Sequence, residues 1–294
     1  MTTVRDDTGV DRAAVDAFTA EYGAGLGGGT TPHAPRNSLE LPPIAVVVAA
    51  YDEEEGIGEV VRSIPASVGG HDTAVVVVVD GATDRTAAVA RENGAMVCDV
   101  PVNRGQGAAL RLGYRIAREG GAEFIVTTDA DGQYDSAQIP RVLRPVLEGE
   151  ADFVTGSRLL GRQETYDRVR RVGVHVFARL VSLLTGQRIT DTSFGLRAMR
   201  AEVTGVVTLR QPQYQSSELL IGVISRGYRV REVPATMRLR AAGTTKKGGN
   251  FVYGCRYSRV VIGTWWRERR AGRAAGTAAA SSKGRVAGAG AKTK

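Results

Sequence analysis

Runs of β-branched residues alternate with segments of helical spacing along most of this chain, and this alternation constrains the fold more than any other feature. The runs "IAVVVAAY" at 44–51 and "TAVVVVVD" at 73–80 are continuous, as is typical of strands buried on both faces. Strands are predicted over residues 44–51, 73–80, 95–100, 123–129 and from 151 onward, and helices over 53–68, 83–94, 105–121 and 136–149. Such alternation predicts an α/β domain with a largely parallel sheet covered by helices on both faces.

Composition divides the chain into four segments. Residues 1–40 and 271–294 are rich in small and polar residues, and both are predicted to be disordered because they lack apolar surface to bury. The folded domain is predicted over 41–250. Residues 251–270 mix aromatic, aliphatic and arginine residues, which predicts an amphipathic helix.

The formal net charge of +8 is concentrated at the C-terminus, where residues 267–294 hold eight basic residues and one acid, Glu268. This tail is read either as a solubilising end or as a segment that favours nucleic acid or anionic lipid. No aromatic and basic platform for nucleic acid accompanies it, so we expect no specific nucleic-acid partner.

The chain shows no long apolar run, no secretory signal pattern, and only two cysteines, Cys98 and Cys255, without metal spacing. A reduced, cytoplasmic protein is therefore expected.

Acidic and polar residues stand where three of the predicted strands end: Tyr51 to Glu53, Asp80, and Asp129 to Asp131. Ligands of parallel α/β sheets bind beyond the carboxyl ends of the strands, so these side chains are expected to line a binding site. The pattern is not specific by itself, because a solvated acidic turn would look the same.

The segment "TTDADGQYD" at 127–135 indicates a divalent cation. Asp129 and Asp131 flank a single residue, and their charges would repel unless a cation or a proton relieved them. Oxygen ligands with the amide of Gln133 nearby suit Mg²⁺ or Mn²⁺, which keep positions open for phosphate oxygens. The chain has neither a Walker loop nor a dinucleotide-binding fingerprint, and the glycines of "NRGQG" at 103–107 indicate either a close ligand or a tight helix start.

Seven segments in order resemble family 2 of the glycosyltransferases, which have the GT-A fold, and most of all the branch of dolichyl- and polyprenyl-phosphate sugar synthases. They are "VVVAAYDEEEGIGEVVRSIP", "VVVVVDGATDRT", "NRGQGAALRLGYRIA", "TTDADGQYD", "ADFVTGSR", "ITDTSFGLRAM" and "REVPATMRLRAAGTTKKGG". The resemblance implies an inverting, metal-dependent transfer from a GDP- or UDP-sugar, with a Rossmann-like, mostly parallel sheet.

The resemblance also implies residue roles. Tyr51, Glu53 and Asp80 would hold the nucleoside, and Asp129, Asp131 and Gln133 the metal and diphosphate. Arg158 would lie on the acceptor side and Asp191 beside the reaction centre. The arm that closes over the donor phosphates would carry Arg240 and Lys246.

The sequence departs from the family pattern at five positions. Val79 stands in place of an acid, Gln106 in place of a lysine, Ala82 in place of a serine, Asp52 in place of an asparagine and Ala49 in place of a proline. The metal motif is unchanged, but the departures leave the nucleotide and the donor preference open.

Two classes of acceptor remain open at this stage. A polyprenyl phosphate arrives already anionic and needs no base, whereas a hydroxyl acceptor, on a small metabolite or a glycan, needs a carboxylate to take its proton. Asp191 is the first candidate for this catalytic base and Glu218 is the second. An alternative interpretation of Glu218 is a helix residue that contacts an arginine. The arginines Arg158, Arg162, Arg168, Arg170 and Arg171 would hold a phosphate.

The segment 251–270 has two compatible readings. It could lie at a lipid interface, which would place the enzyme at the inner membrane face, or it could pack its apolar side on the domain. From a different class, the chain could be a binding module that keeps the fold without the chemistry.

Overall fold

The structure is a computed structural model, and it describes residues 8–23, 39–164, 168–238 and 254–271. Eight strands lie in this part of the chain: β1 (Ile44–Ala50), β2 (Ser67–Val68), β3 (His71–Asp80), β4 (Met96–Val100), β5 (Phe124–Asp129), β6 (Phe153–Gln163), β7 (Arg197–Arg200) and β8 (Val230–Met237). The helices are α1 (Thr8–Tyr22), α2 (Ile57–Ser63), α3 (Thr86–Glu92), α4 (Gln106–Glu119), α5 (Ile139–Leu147), α6 (Arg168–Thr185), α7 (Ala201–Val206), α8 (Gln215–Ser225) and α9 over 254–271.

One mixed sheet organises the domain, and its first half is parallel as predicted. Strands β4, β3, β1 and β5 lie side by side in that order and run in one direction. Strand β7 then runs antiparallel to both β5 and β6, and β8 runs parallel to β6. The short strand β2 forms an antiparallel pair with the start of β3. The predicted α/β class with a mostly parallel sheet is confirmed.

The continuous apolar run of β1 is explained by a core on each face of the sheet. Ala45 and Val47 point into one core with α4, whereas Val46 and Val48 point into the other with α2 and α5. Because successive side chains of a strand point to opposite faces, both sets must be apolar. Helix α4 lies so close to β1 that a Cβ at Gly113 would stand 2.3 Å from Val47.

The N-terminal segment contains a folded helix, so the prediction of disorder over residues 1–40 is wrong for Thr8–Tyr22. Phe18 is only 2% exposed and packs with Val15 in the core on the α4 side. The Tyr22 hydroxyl accepts a hydrogen bond from the Val97 amide on β4, at 3.0 Å. The prediction was wrong because it used the average composition of residues 1–40, which is dominated by the glycine-rich residues after this short amphipathic helix.

Helix α9 packs one side on the domain. Tyr257, Val261, Thr264 and Glu268 recur at helical spacing and are buried, whereas Ile262 and Trp266 are exposed. The interpretation that the segment 251–270 packs its apolar side on the domain is therefore confirmed for α9. The side of α9 that carries Ile262 and Trp266 is exposed and remains available for another contact. Among the residues that the structure describes, no helix is long and apolar enough to cross a membrane. Of the predicted basic tail at 271–294, residues 272–294 lie outside the described residues.

Candidate active site

The carboxyl ends of the parallel strands gather the predicted site residues at one edge of the sheet. In the register of the sheet, Ala49 on β1 pairs with Val78 on β3 and with Asp129 on β5. Tyr51, Asp80 and Asp129 therefore end neighbouring strands on the same rim. The sequence-based expectation that these residues share an edge agrees with this register.

The two aspartates of the "DAD" segment lie half-buried on this rim. Asp129 Oδ1 accepts a hydrogen bond of 2.9 Å from Gln106 Nε2, and a Cβ at Gly195 would stand 2.8 Å from Asp129 Oδ2. Asp131 Oδ1 accepts the Gln133 backbone amide at 3.1 Å. The Gln133 side-chain amide lies 3.5 Å from the carbonyl oxygen of Arg238.

These residues have the donor chemistry of a Mg²⁺ or Mn²⁺ site of the kind that substrate phosphates complete. Such ions commonly take only one or two protein carboxylates, with water and phosphate oxygens as their other ligands. Within the described ranges, no group of three or more histidine, cysteine or acidic side chains forms a cage that would hold a metal by itself. The pair Asp129 and Asp131 therefore fits an ion that arrives with its substrate.

Asp80, predicted to contact the nucleotide base, binds the backbone of the loop that precedes α4. The residue is 3% exposed, and its carboxylate accepts the backbone amides of Arg104 at 3.0 Å and Gly105 at 2.6 Å. Burial raises the pKa of Asp80, against the lowering effect of those two amides. The carboxylate points into the protein, so Asp80 fixes the start of α4 beneath the rim.

Two neighbouring loops on the rim are tied together by side chains that accept backbone amides. Asp52 has a positive φ of 49° and accepts the Thr83 amide at 2.9 Å, while the Glu53 amide donates to Thr86 Oγ1 at 2.9 Å. Asp84 accepts the Glu54 amide at 3.1 Å. These contacts position Tyr51 and Glu53, the residues predicted to hold the nucleoside, at the end of β1.

Arg158, predicted on the acceptor side, and Asp191, predicted beside the reaction centre, form a buried ion pair with each other. Asp191 is 0% exposed. Its Oδ2 accepts hydrogen bonds from Arg158 Nε at 2.6 Å and from the Arg158 backbone amide at 3.1 Å. Its Oδ1 accepts a hydrogen bond from Arg158 Nη2 at 3.3 Å. Burial alone would lower the pKa of Arg158, but the charge and hydrogen bond of Asp191, together with the nearby Tyr134 and Tyr257, raise it. A carboxylate so enclosed and so paired is not placed to take a proton from an acceptor, and the arginine is not free to bind a phosphate.

Glu218, the second candidate base, is also buried and engaged. It is 0% exposed, and its Oε2 accepts the amides of Arg210 at 2.8 Å and Gln211 at 2.9 Å. Its Oε1 lies 2.9 Å from Nη2 of Arg267 on α9. The alternative interpretation of Glu218, a helix residue that contacts an arginine, is confirmed.

Two residues that the sequence analysis did not single out hold the segment around Asp191. Glu232 on β8 accepts the amides of Thr190 and Asp191, each at 2.8 Å. Tyr257 on α9 is buried, and its hydroxyl bonds to Thr192 Oγ1 at 2.5 Å and to Ser217 Oγ. No sequence motif marks either residue, because each acts across more than 40 positions of the chain.

The predicted closing arm begins beside the aspartate pair, although the arm residues Arg240 and Lys246 lie outside the described residues. The Arg238 amide donates to the Gln133 carbonyl at 2.8 Å, and Arg238 Nη2 pairs with Asp135 at 2.5 Å. The chain therefore leaves the described part at the "DADGQ" loop. Arg162 is exposed on β6, and the side chains of Arg168, Arg170 and Arg171 are also outside the described part.

Comparison with known proteins agrees with this architecture. Residues 45–207 match the family model of Glycosyl transferase family 2. The chain is 35% identical over 226 residues to a dolichyl-phosphate hexose transferase of Haloferax volcanii, covering 77% of this chain and 95% of that protein. It is 29% identical over 213 residues, 65% of this chain and 84% of the relative, to a UDP-N-acetylglucosamine–dolichyl-phosphate N-acetylglucosaminyltransferase of Methanococcus voltae.

A solved structure shows the same fold at lower identity. Glucosyl-3-phosphoglycerate synthase from Mycobacterium tuberculosis superposes with a TM-score of 0.60 at 23% identity, covering 82% of this chain and 86% of that one. Together with the sheet order and the acidic rim, the match over residues 45–207 and the 35% identity to a hexose transferase identify the chain. It belongs to glycosyl transferase family 2 and is a glycosyltransferase of the GT-A fold.

Proposed function

We propose that this enzyme transfers a hexose from a nucleoside diphosphate sugar, GDP- or UDP-linked, to a polyprenyl phosphate, with inversion at the anomeric carbon. The similarity to the Haloferax hexose transferase spans nearly the whole length of that protein, and both relatives described above carry dolichyl phosphate in their names. Inversion follows from a single displacement, in which the acceptor oxygen attacks opposite the leaving nucleoside diphosphate.

The observation that carries the choice of acceptor is the burial of both candidate bases. A hydroxyl acceptor needs a carboxylate within hydrogen-bond reach to take its proton. Asp191 is closed off by Arg158, and Glu218 by two backbone amides and Arg267. A lipid phosphate is already anionic near neutral pH, so it can attack without either of them. The geometry therefore supports the phosphate over the hydroxyl.

The donor diphosphate is expected at the rim beside Gln106. Asp129 and Asp131 would hold the Mg²⁺ or Mn²⁺ ion, with Gln133 next to them as the remaining predicted ligand. When bound, such an ion neutralises charge that grows on the departing diphosphate. Gln106 keeps Asp129 in place through a neutral amide, so it does not neutralise the carboxylate as a lysine would.

Arg240 and Lys246 are proposed to close over the donor phosphates. The segment that carries them starts at Arg238, which is fixed to Gln133 and Asp135 next to the aspartate pair. It leads to α9, where Tyr257 bonds to Thr192 beside Asp191. The described end at Arg238 therefore lies beside the aspartate pair, which suits an arm that covers the donor and excludes water.

A peripheral position on the cytoplasmic membrane face would bring the enzyme to its lipid acceptor. Exposed apolar side chains lie on both α6 and α9, namely Val172, Val176, Leu183, Ile262 and Trp266. The guanidinium of Arg270 stacks over Trp266 at 3.3 Å, which places a cation beside an exposed aromatic ring. Aromatic and basic groups in this combination suit the headgroup region of an anionic bilayer.

The test is transfer to undecaprenyl phosphate from a panel of radiolabelled GDP- and UDP-sugars, with and without EDTA. We expect label to enter the lipid fraction from one nucleotide class, and EDTA to abolish the transfer. Label that enters a water-soluble hydroxyl compound instead would contradict the proposed acceptor. If members of the panel are bound but none is turned over, the chain is a nucleotide-sugar-binding module without transfer chemistry, and the proposal fails.

A further inference from the structure

We propose that the N-terminal helix α1 is a positioning element of the donor site, in which Asp11 holds Arg104 and thereby sets Gln106 beside Asp129. Helix α1 ends at Tyr22, before the residues that match the family model, 45–207. This inference rests on the proposed donor site at Asp129 and Asp131, and it assigns a role in that site to a helix outside the matched domain.

Helix α1 packs tightly against the domain, so the position of Asp11 relative to α4 is fixed. Val15 and Phe18 are buried in the core that α4 also lines, and Tyr22 binds the Val97 amide on β4. The thiol of Cys98 lies 3.9 Å from the Ala14 carbonyl oxygen and is 2% exposed, so α1 covers this part of β4. The first turns of the helix are thereby held against the loop that precedes α4.

Asp11 is the acid that meets the cations at the start of α4. Its Oδ1 lies 2.7 Å from Arg104 Nη1, and both side chains are only 14% exposed. Its Oδ2 lies 3.7 Å from Arg111 Nη2. Arg104 Nε and Nη2 are buried, and the described residues offer them no hydrogen-bond partner, so Asp11 is the acid that pairs directly with this guanidinium, with the charge of Asp80 nearby.

Three consecutive residues connect Arg104 to the aspartate pair. The amides of Arg104 and Gly105 are bound by Asp80, and Gln106 then donates its side-chain amide to Asp129. Gly105 has a φ of +90°, and a Cβ there would stand 2.9 Å from Pro212, so this short segment packs closely against Pro212 and its residues are expected to move together. A displacement of the Arg104 side chain is therefore passed to Gln106.

Loss of the Asp11 charge would leave the enclosed Arg104 guanidinium without its ion-pair partner and beside a second cation, Arg111. Because burying an unpaired charge is strongly unfavourable, the loop is expected to move until Arg104 reaches water. That movement draws Gln106 away from Asp129. Asp129 would then lose one of the contacts that orient its carboxylate, and its metal and diphosphate affinity would fall.

The test compares Asp11→Asn with Glu21→Gln in the full-length protein. Glu21 lies on the same helix and pairs with Arg91 at the surface, so this variant removes one acid without touching the loop. Isothermal titration with UDP and with GDP, each in the presence of Mn²⁺, gives the dissociation constants. Thiol labelling of Cys98, in a Cys255→Ser background, reports whether α1 remains docked.

For Asp11→Asn we expect Cys98 to stay protected while the nucleotide dissociation constant rises about tenfold, which is ~1.4 kcal/mol. The KM for the sugar nucleotide should rise more than kcat falls, and Glu21→Gln should match the wild type. The double variant Asp11→Asn with Arg104→Gln removes the uncompensated charge and should restore binding to within about threefold of the wild type. Should Asp11→Asn fail to fold, Asp11→Glu, which keeps the charge, is expected to give a smaller rise.

Three results would overturn the inference, and they are distinguishable. If the wild type binds UDP or GDP with Mn²⁺ and Asp11→Asn binds it equally well, the role of α1 is refuted while the donor site stands. If the wild type binds neither nucleotide with Mn²⁺, the proposed donor chemistry fails and the inference falls with it. Equal losses in Asp11→Asn and Glu21→Gln would show a general effect of the helix and also contradict the role of Asp11.

Discussion

Replacing Asp191 by Asn should damage the fold before it damages the chemistry. The carboxylate is fully buried and bonds to Arg158 through Nε, Nη2 and the backbone amide, and it also accepts the Ser193 amide at 3.1 Å. An asparagine keeps one acceptor oxygen and turns an NH₂ group toward donors of Arg158 or Ser193. The guanidinium of Arg158, almost fully buried, is then left without its counter-charge.

The expected loss is about 3–5 kcal/mol in the free energy of unfolding, the range for breaking a buried pair by removing one partner. Typical domains have only about 5–15 kcal/mol in total, so the variant should unfold at a much lower urea concentration. The matched control is Glu92→Gln, which breaks the exposed pair with Arg85 and should change stability by no more than about 1 kcal/mol.

The assay is urea unfolding followed by far-UV circular dichroism, with turnover measured on the same preparations. We expect a large shift in the midpoint for Asp191→Asn, and activity that falls in proportion to the folded fraction. If the variant unfolds with the wild-type midpoint but has lost turnover while it still binds nucleotide, Asp191 acts as a base. That result would refute the structural role and favour a hydroxyl acceptor.

Three further predictions concern single positions. Gly195→Ala should lower turnover more than tenfold and lower the free energy of unfolding by about 1–3 kcal/mol, because the alanine Cβ would stand 2.8 Å from Asp129 Oδ2. Initial rates measure the first effect and urea unfolding the second. Tyr257→Phe should lower the free energy of unfolding by about 1–3 kcal/mol, since two buried hydroxyl partners lose their bond; urea unfolding measures this. Burial raises the pKa of Cys98 to about 12, so at pH 8 a chromogenic disulfide reagent should react quickly with exposed Cys255 alone, and with Cys98 only after unfolding.

Each of these predictions has a contradicting result. Gly263→Ala is the control for the glycine, since nothing lies within 4 Å of its Cβ; equal activity of both variants would show that Asp129 tolerates displacement. A Tyr257→Phe protein with wild-type stability would mean that its hydroxyl does not hold α9. Two fast thiols in the native protein would mean that α1 does not cover β4.

The parts of the fold that follow from local sequence were predictable. The runs that became β1 and β3 are apolar at every position because both faces of the sheet are buried, and this pattern is visible without any partner. The rim position of Asp129 follows from the same reasoning, since parallel strands bring their carboxyl ends to one edge. The family resemblance added the order of the motifs and was confirmed by the comparisons.

The contacts that depend on distant parts of the chain were not predictable. Asp191 meets Arg158 across 33 positions, and a motif that marks both residues cannot tell whether they face a substrate or each other. Asp80 was predicted to contact the nucleotide base. The sequence did not show that the loop after β4 folds back and donates two backbone amides to its carboxylate. Helix α1 was not predicted, because the average composition of residues 1–40 combines the residues of the helix with the glycine-rich residues that follow it.

The comparison of undecaprenyl phosphate with undecaprenol as acceptors tests the central claim most directly. Both lipids are offered in the same detergent with the same sugar nucleotide and Mn²⁺, and initial rates are measured by extraction of labelled lipid. Because both candidate bases are buried and engaged, we expect rapid glycosylation of the phosphate and none of the alcohol. Glycosylation of undecaprenol at a comparable rate would require a base at the acceptor oxygen and would contradict the account.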